Sequence, residues 1–185
     1  DVYYKHFYDS LTINDFIFKT DGSICDMGSG AGFPSIPLKI INPNLKVTII
    51  DSSNKRIRFL QELVDLLELT DVTLVHSRIE DYGIKNQAKF DYVTARALGN
   101  LTLITELALP MLKEGGSFIA MKGSKGDEEL VAATNAIKVT GGKVIQKKYL
   151  ELPADYGLRS IYIINKEKHV NGYPRLYQEI LKNPL

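Results

Sequence analysis

"ICDMGSGAGFPSIPLKII", residues Ile24–Ile41, packs three glycines (Gly28, Gly30 and Gly32) into five positions. An apolar run precedes them, and Pro34 and Pro37 follow. Glycine-rich loops of this kind let a ligand approach bare backbone, because no Cβ stands in the way. "SICDM" (Ser23–Met27) reads as a strand, and the two prolines sit where the first turn of a helix tolerates them. The stretch is therefore strand, glycine loop, helix, which is the opening unit of an α/β fold.

The rest of the chain repeats that alternation. "KVTIID" (Lys46–Asp51), "VTLVH" (Val72–His76), "FDYVTAR" (Phe90–Arg96) and "GSFIAMKG" (Gly116–Gly123) read as strands two to five. "KVIQKKYLEL" and "RSIYIINK" add two more at the end. Between strands two and three, Ile57, Leu60, Leu63, Val64 and Leu67 recur at helical spacing, with Asn54 as the expected cap. Leu101–Leu112 reads as a helix interrupted near Pro110, and "GDEELVAATNAIKV" as a single helix. The expectation is an α/β sandwich around a seven-stranded, mostly parallel sheet flanked by helices. In such a sheet ligands sit beyond the carboxyl ends of the strands. That directs attention to Gly28–Phe33, Asp51–Asn54, His76–Glu80, Ala95–Leu98 and Lys122–Gly123.

At 185 residues the chain suits one domain with a substantial core. No apolar run approaches the ~20 residues of a membrane span. The single cysteine, Cys25, lies inside the first strand and fits a reducing, cytoplasmic setting. Net charge is +1, unevenly spread: residues 1–137 carry 14 Lys+Arg and 18 Asp+Glu, residues 138–185 carry 9 and 4. A basic C-terminal part suits either nucleic acid or a solvated surface. The opening "DVYYKHF" reads like the middle of a longer chain, so preceding residues are expected to be absent.

The glycine loop departs from the dinucleotide pattern G-x-G-x-x-G, because Phe33 stands where the third glycine would fall. It also lacks the G-K-[ST] ending of a phosphate-binding loop. Asp26 precedes it, and a carboxylate repels phosphate but suits a cation such as the amino group of an amino acid. S-adenosylmethionine offers that amine together with a sulfonium. Asp51 ends the second strand, where an acidic side chain can accept hydrogen bonds from ribose hydroxyls or else cap the next helix. Ile79 and Glu80, in "SRIEDY" after the third strand, are candidates for an adenine contact; the alternative is an ordinary loop with an Arg78–Glu80 surface pair of little energetic weight.

Six segments together resemble one family: "KHFYDSLT" (Lys5–Thr12), "DMGSGAGFPSIPLKI" (Asp26–Ile40), "DSSNKRIRFL" (Asp51–Leu60), "HSRIED" (His76–Asp81), "FDYVTARAL" (Phe90–Leu98) and "MKG" (Met121–Gly123). They look like the bacterial ribosomal RNA small-subunit methyltransferase G family, also called glucose-inhibited division protein B. The resemblance implies a Rossmann-like class I S-adenosylmethionine-dependent methyltransferase, with residues 1–185 forming a single methyltransferase domain. It implies methylation of a guanine N7 in 16S ribosomal RNA, with naked RNA or the small ribosomal subunit as partner. Composition, with no membrane-length apolar run, leads to the expectation of a cytoplasmic protein without membrane association, and a monomer is expected. On matching positions, Gly28, Phe33, Ile79, Glu80 and Arg96 would line the cofactor site, with Asp26, Asp51 and Ser53 near the cofactor. Gly30 is expected to give the donor close backbone approach. Two features differ from the family pattern. The family's helical segment before "KHF" is expected to be absent from this sequence, and "LYQEILKNPL" after Tyr173-Pro174-Arg175 is more helical and less basic than the usual tail.

Guanine N7 carries a lone pair and no proton, so methyl transfer to it needs no general base. Proximity, alignment and exclusion of water then remain as the work of the protein. The chain has no proline-proline-aromatic motif to cradle an exocyclic amine, and no cysteine suited to attack a pyrimidine. Arg96 and Lys122, ending neighbouring strands, are the expected catalytic cations, to position phosphate or the guanine O6. Their structural alternative is ion pairing with Asp26 or Glu80. His6 is expected at the same cleft or as a structural hydrogen bonder. Lys5, Lys125, Arg159 and Arg175 would form the RNA surface, with Lys55, Arg56 and Arg58 at the second helix. No metal site is expected. A methyltransferase for a small molecule or protein, and a non-catalytic nucleotide-binding module, are the competing readings.

Overall fold

The computed structural model describes residues 2–185. Its sheet has seven strands: β1 (Ser23–Met27), β2 (Lys46–Asp51), β3 (Val72–His76), β4 (Phe90–Arg96), β5 (Leu112–Lys122), β6 (Gly142–Glu151) and β7 (Leu158–Lys166). Their order is β3-β2-β1-β4-β5-β7-β6. The first five pair in parallel, and β7 runs antiparallel between β5 and β6. The placement of β7 follows from side chains. "IYII" (Ile161–Ile164) is a continuous apolar run suited to burial on both faces, whereas the exposed, lysine-bearing β6 suits an edge.

The helices are α1 (Asp9–Leu11), α2 (Ser35–Ile41), α3 (Asn54–Leu66), α4 (Ile79–Lys85), α5 (Leu101–Ala108), α6 (Gly126–Ala132), α7 (Thr134–Val139) and α8 (Tyr177–Lys182). A π-type helical segment, Tyr3–Tyr8, runs into α1. A 3-10 turn, Leu109–Met111, carries the interruption at Pro110. Strand side chains alternate between two cores. Met27, Val93, Phe118 and Tyr162 pack against α5, α6, α7 and α8 on one face. Ile24, Val47, Ile49 and Ile163 pack against α2, α3 and the Ile13–Phe16 turn on the other. Each such side chain, fully withdrawn from water, contributes about 1.5–3 kcal/mol.

Four local expectations need correction. The cap of α3 is Ser53, whose Oγ accepts the Arg56 N–H at 3.4 Å; Asn54 is the first helical residue. Leu60 and Val64 are buried as expected, but Leu67 lies beyond the helix and is exposed. "GDEELVAATNAIKV" is two helices meeting at Ala133, where Thr134 Oγ1 donates to the Val131 carbonyl at 2.8 Å and competes with the helical ladder. The "SRIEDY" segment is not an ordinary loop: from Ile79 it enters α4.

The chain passes from β3 at one edge back to β4 beside β1. That reversal opens a crevice at the carboxyl ends of β1 and β4, where Gly28 and Ala97 sit.

Candidate active site

Two clefts open at that crevice, and Ala97 borders both. Its φ of +53° is left-handed backbone in a residue with a Cβ, a conformation that costs of the order of 1–3 kcal/mol and concentrates at functional sites.

The first cleft, about 270 Å³, runs from Gly28 over the ends of β2 and β3. Asp51 and Glu80 supply carboxylates, 2% and 5% exposed. Asp51 Oδ1 accepts the Ser53 N–H at 2.8 Å, and its Oδ2 takes Arg56 Nη1 at 3.4 Å. Glu80, in the first turn of α4, accepts from Arg78 Nε. Ile79, Leu98 and Leu103 give the cleft its apolar wall. Acids that accept from hydroxyls beside a flat apolar wall suit a nucleoside.

Beneath the loop the chain leaves polar atoms unpaired. Asp26 is fully buried; Ser35 N–H donates to its Oδ2 at 3.3 Å, and Oδ1 has no partner among the described residues. Ser29 Oγ and Ser35 Oγ are likewise buried and unpaired. Burial pushes the Asp26 carboxyl up to about 7, against the opposing pull of Ser35 and Arg96. Gly28 has φ +69°, and a Cβ there would strike Leu98 Cδ1 at 2.7 Å. Gly30 has φ +63°, but a Cβ there would meet nothing within 4 Å. Gly28 is thus held by packing, whereas at Gly30 the loop faces open space.

The second cleft, about 380 Å³, lies between the ends of β4 and β5 and the Tyr3–Tyr8 segment. Arg96 is its centre. It donates to the Lys5 carbonyl at 3.1 Å, to Asp9 Oδ2 at 3.2 Å and to His6 Nδ1 at 3.0 Å, and it lies 5.4 Å from the Phe33 ring centre. Asp9, 2% exposed, also accepts Arg159 Nε at 3.1 Å. A guanidinium only donates, so His6 Nδ1 is the acceptor and the neutral ring carries its proton on Nε2. Burial, then Arg96, lowers the His6 pKa and holds it neutral. The Phe33 ring is flanked by His6 and Phe7 at 5.1 Å each. Lys122 Nζ pairs with Glu129 at 2.7 Å and donates to the Gly99 carbonyl at 2.6 Å.

The family model described as "GidB: rRNA small subunit methyltransferase G" matches residues 1–155. The ribosomal RNA small subunit methyltransferase G of Acholeplasma laidlawii is 52% identical over 182 residues, covering 98% of this chain and 79% of that protein. That of Staphylococcus saprophyticus is 52% identical over 188 residues, covering all of this chain and 79% of its own.

The chain belongs to the rRNA small subunit methyltransferase G family.

Its fold is that of the class I S-adenosylmethionine-dependent methyltransferases. Among solved structures, TYW2 of Pyrococcus horikoshii, in complex with MeSAdo, superposes with a TM-score of 0.71 at 17% identity, over 88% of this chain and 63% of that one. TYW2 of M. jannaschii, in complex with AdoMet, gives 0.67 at 18% identity, over 88% and 76%.

Within this methyltransferase most of the singled-out residues converge on the crevice. Gly28, Asp51, Ile79 and Glu80 line the first cleft; His6, Arg96 and Lys122 line the second, with Phe33 stacked beside Arg96. Ser53 caps α3, and its neighbour Ser52 lines the cleft instead. Arg96 and Lys122 do pair with acids, but with Asp9 and Glu129 and not with Asp26 or Glu80. Of the expected RNA cations, Lys5 and Arg159 reach the second cleft, Lys125 is exposed on the α6 cap, and Lys5 also lies 4.6 Å from the Tyr156 ring centre. Arg175 is withdrawn: its backbone N–H, Nε and Nη2 all bond buried Glu106, at 3.1, 2.7 and 2.8 Å. Arg56 reaches Asp51.

Asp9, Glu129 and Tyr177 were not singled out from sequence, whereas Ala97 and Arg78 fall within the strand-end stretches Ala95–Leu98 and His76–Glu80. Asp9 lies within "KHFYDSLT", so the segment signalled it although its role could not be read. Among the described residues, no group of three or more His, Cys, Asp or Glu could hold a metal ion, and no helix is long and apolar enough to cross a membrane.

Proposed function

We propose that this chain methylates N7 of a guanine in the 16S ribosomal RNA of the small subunit, with S-adenosylmethionine as donor. The observation that carries the ring-nitrogen acceptor is the state of the second cleft, where among the described residues no side chain is poised as a base. The acceptor nitrogen of His6 is taken by Arg96, and the carboxylates of Asp9 and Glu129 are engaged by Arg96, Arg159 and Lys122. An amine or hydroxyl acceptor would have to lose a proton as it is methylated, and no group here is placed to take it. Guanine N7 has none to lose.

The residues of the first cleft fit the donor. Asp51 and Glu80 would accept from its ribose and adenine, Ile79 would lie against the base, and Gly28 and Gly30 would admit it to bare backbone. The unpaired Asp26 Oδ1 beneath the loop suits its ammonium end. When bound, the donor supplies an electrophilic methyl group on a sulfonium. Phe33 and the neutral His6 exclude water beside Arg96 and keep uncompensated charge away from that sulfonium. Arg96 and Lys122 orient the acceptor through its O6 and phosphate, and the N–H on His6 Nε2 offers a further donor. Lys5, Arg159, Lys125, Lys55 and Arg58 would meet RNA phosphates, so binding should weaken steeply with salt. Residues 1–185 act as a single methyltransferase domain in this reading, in the cytoplasm and as a monomer.

The test is to incubate naked rRNA, intact small subunits and cell metabolites with labelled donor, then map the methylated nucleosides by mass. Label in 7-methylguanosine from either RNA sample is expected. Label confined to metabolites overturns the RNA reading. Tighter calorimetric binding of NAD than of S-adenosylhomocysteine overturns the donor.

A further inference from the structure

The C-terminal residues 173–182 form a strap that returns to the mouth of the first cleft, beyond the residues 1–155 that the family model matches. It is anchored along its length. Gln87 Nε2 donates to the Tyr173 carbonyl at 3.0 Å, and Pro174 lies over Gly83 so closely that a Cβ there would come within 3.2 Å of its Cγ. Arg175 makes three bonds to the buried Glu106, and Ile180 of α8 is 2% exposed in the core. Tyr177 stands between the last two anchors and lines the cleft beside Ile79, Leu98 and Leu103. Its ring is braced by Arg78, whose guanidinium lies 4.9 Å from the ring centre and is itself tied to Glu80.

We infer that Tyr177 is a further donor-binding residue, whose ring stacks on the flat base of the donor's nucleoside. The inference rests on the reading of the first cleft as the S-adenosylmethionine site and adds an element from outside the sheet. Ile180 already anchors α8, so the fold does not need an aromatic ring at 177 for that purpose. A ring held at the cleft mouth by a rigid strap and a bound guanidinium loses little freedom when a base arrives. Preorganisation of this kind converts contact into affinity. Every base has a π face, and stacking one on an aromatic side chain strengthens binding by roughly 5- to 150-fold.

The test is calorimetry of the full chain and its Tyr177→Phe, Tyr177→Leu and Tyr177→Ala variants. The probes are S-adenosylhomocysteine and 5′-methylthioadenosine, which keeps the nucleoside and lacks the amino-acid end. Melting temperature without ligand is measured in parallel. We expect Tyr177→Phe to bind as the parent does, and Tyr177→Leu and Tyr177→Ala to lose about tenfold toward both probes. Parent-like affinity in Tyr177→Leu would show that bulk, not a ring, is needed and would overturn the stacking. So would a loss confined to S-adenosylhomocysteine, which would place Tyr177 away from the base. If the parent chain binds neither probe, the donor reading falls and this inference with it.

Discussion

Asp9 and Arg159 stand 150 positions apart, yet Arg159 Nε donates to Asp9 Oδ1 at 3.1 Å while Arg96 holds the other oxygen of the same carboxylate at 3.2 Å. One buried anion thus joins the N-terminal segment, β4 and β7 around the second cleft. Removing it leaves two guanidiniums, 19% and 24% exposed, without their shared partner.

Asp9→Ala should therefore destabilise the chain by about 2–4 kcal/mol, toward the lower end of what breaking a buried pair costs because both arginines keep some solvent. It should also abolish transfer to RNA while leaving S-adenosylhomocysteine affinity within about twofold, since Asp9 lines the second cleft only. Denaturant melts and calorimetry check the two halves separately. Equal loss of donor affinity would mean that the two clefts are not independent.

Lys122 tests whether a paired cation still acts on the acceptor. Its side chain is 8% exposed, with the ammonium paired with Glu129 and bonded to the Gly99 carbonyl. Both Lys122→Ala and Glu129→Gln weaken that ion pair, so both should lower the melting temperature. Only Lys122→Ala should reduce transfer more than about tenfold with donor affinity unchanged, the size expected for loss of a positioning contact. Equal effects of the two variants on rate would make Lys122 a structural residue.

The glycine loop separates packing from ligand approach. Gly28→Ala brings its Cβ to 2.7 Å from Leu98, so Leu98 must move, and both stability and donor affinity should fall. Gly30→Ala meets no neighbour, so its stability cost should be limited to the left-handed backbone, about 1 kcal/mol. Its donor affinity should nevertheless fall at least as far as that of Gly28→Ala, because the added methyl occupies the approach to the loop. Near-normal affinity in Gly30→Ala would refute the placement of the donor.

Much of this arrangement was legible in the sequence because local signals agreed. Strands β1 to β4 coincide with their apolar runs, and the loop after β1, the acid ending β2 and the Arg ending β4 fall where a parallel sheet places ligands. What failed depended on contacts distant in the chain or on weak local signals. The order of the last two strands stays open in the sequence, because the doubly buried run Ile161–Ile164 takes its place beside β5 only through contacts with distant strands. The seven residues of α4 are too few to show a helical period. Arg175 looks like any surface cation until Glu106, 69 positions away, takes its Nε and Nη2. Asp9 reads as an ordinary polar residue of an N-terminal segment, because nothing near it announces two arginines from β4 and β7.

Asp26 offers a pH test in which stability and function oppose each other. Its ordinary value is 3.8, and burial raises it to about 7 in the folded chain. Between those values the native state holds a proton that the unfolded state has lost, so stability falls as pH rises through this window and levels off above it. At 1.36 kcal/mol per pH unit the whole effect is at most on the order of 4 kcal/mol. Asp26→Asn keeps an acceptor for the Ser35 N–H and cannot ionise. It should match the parent near pH 4 and be the more stable of the two at pH 8, as read by denaturant melts. An ammonium seated on Asp26 would reverse the preference, since it stabilises the ionised carboxylate. S-adenosylhomocysteine should therefore raise the parent's melting temperature more at pH 8 than at pH 6, and Asp26→Asn should lose that difference along with most of its affinity. A variant that gains no stability at pH 8 would show that the carboxylate is not strained when charged. One that keeps parental affinity would remove Asp26 from the donor site.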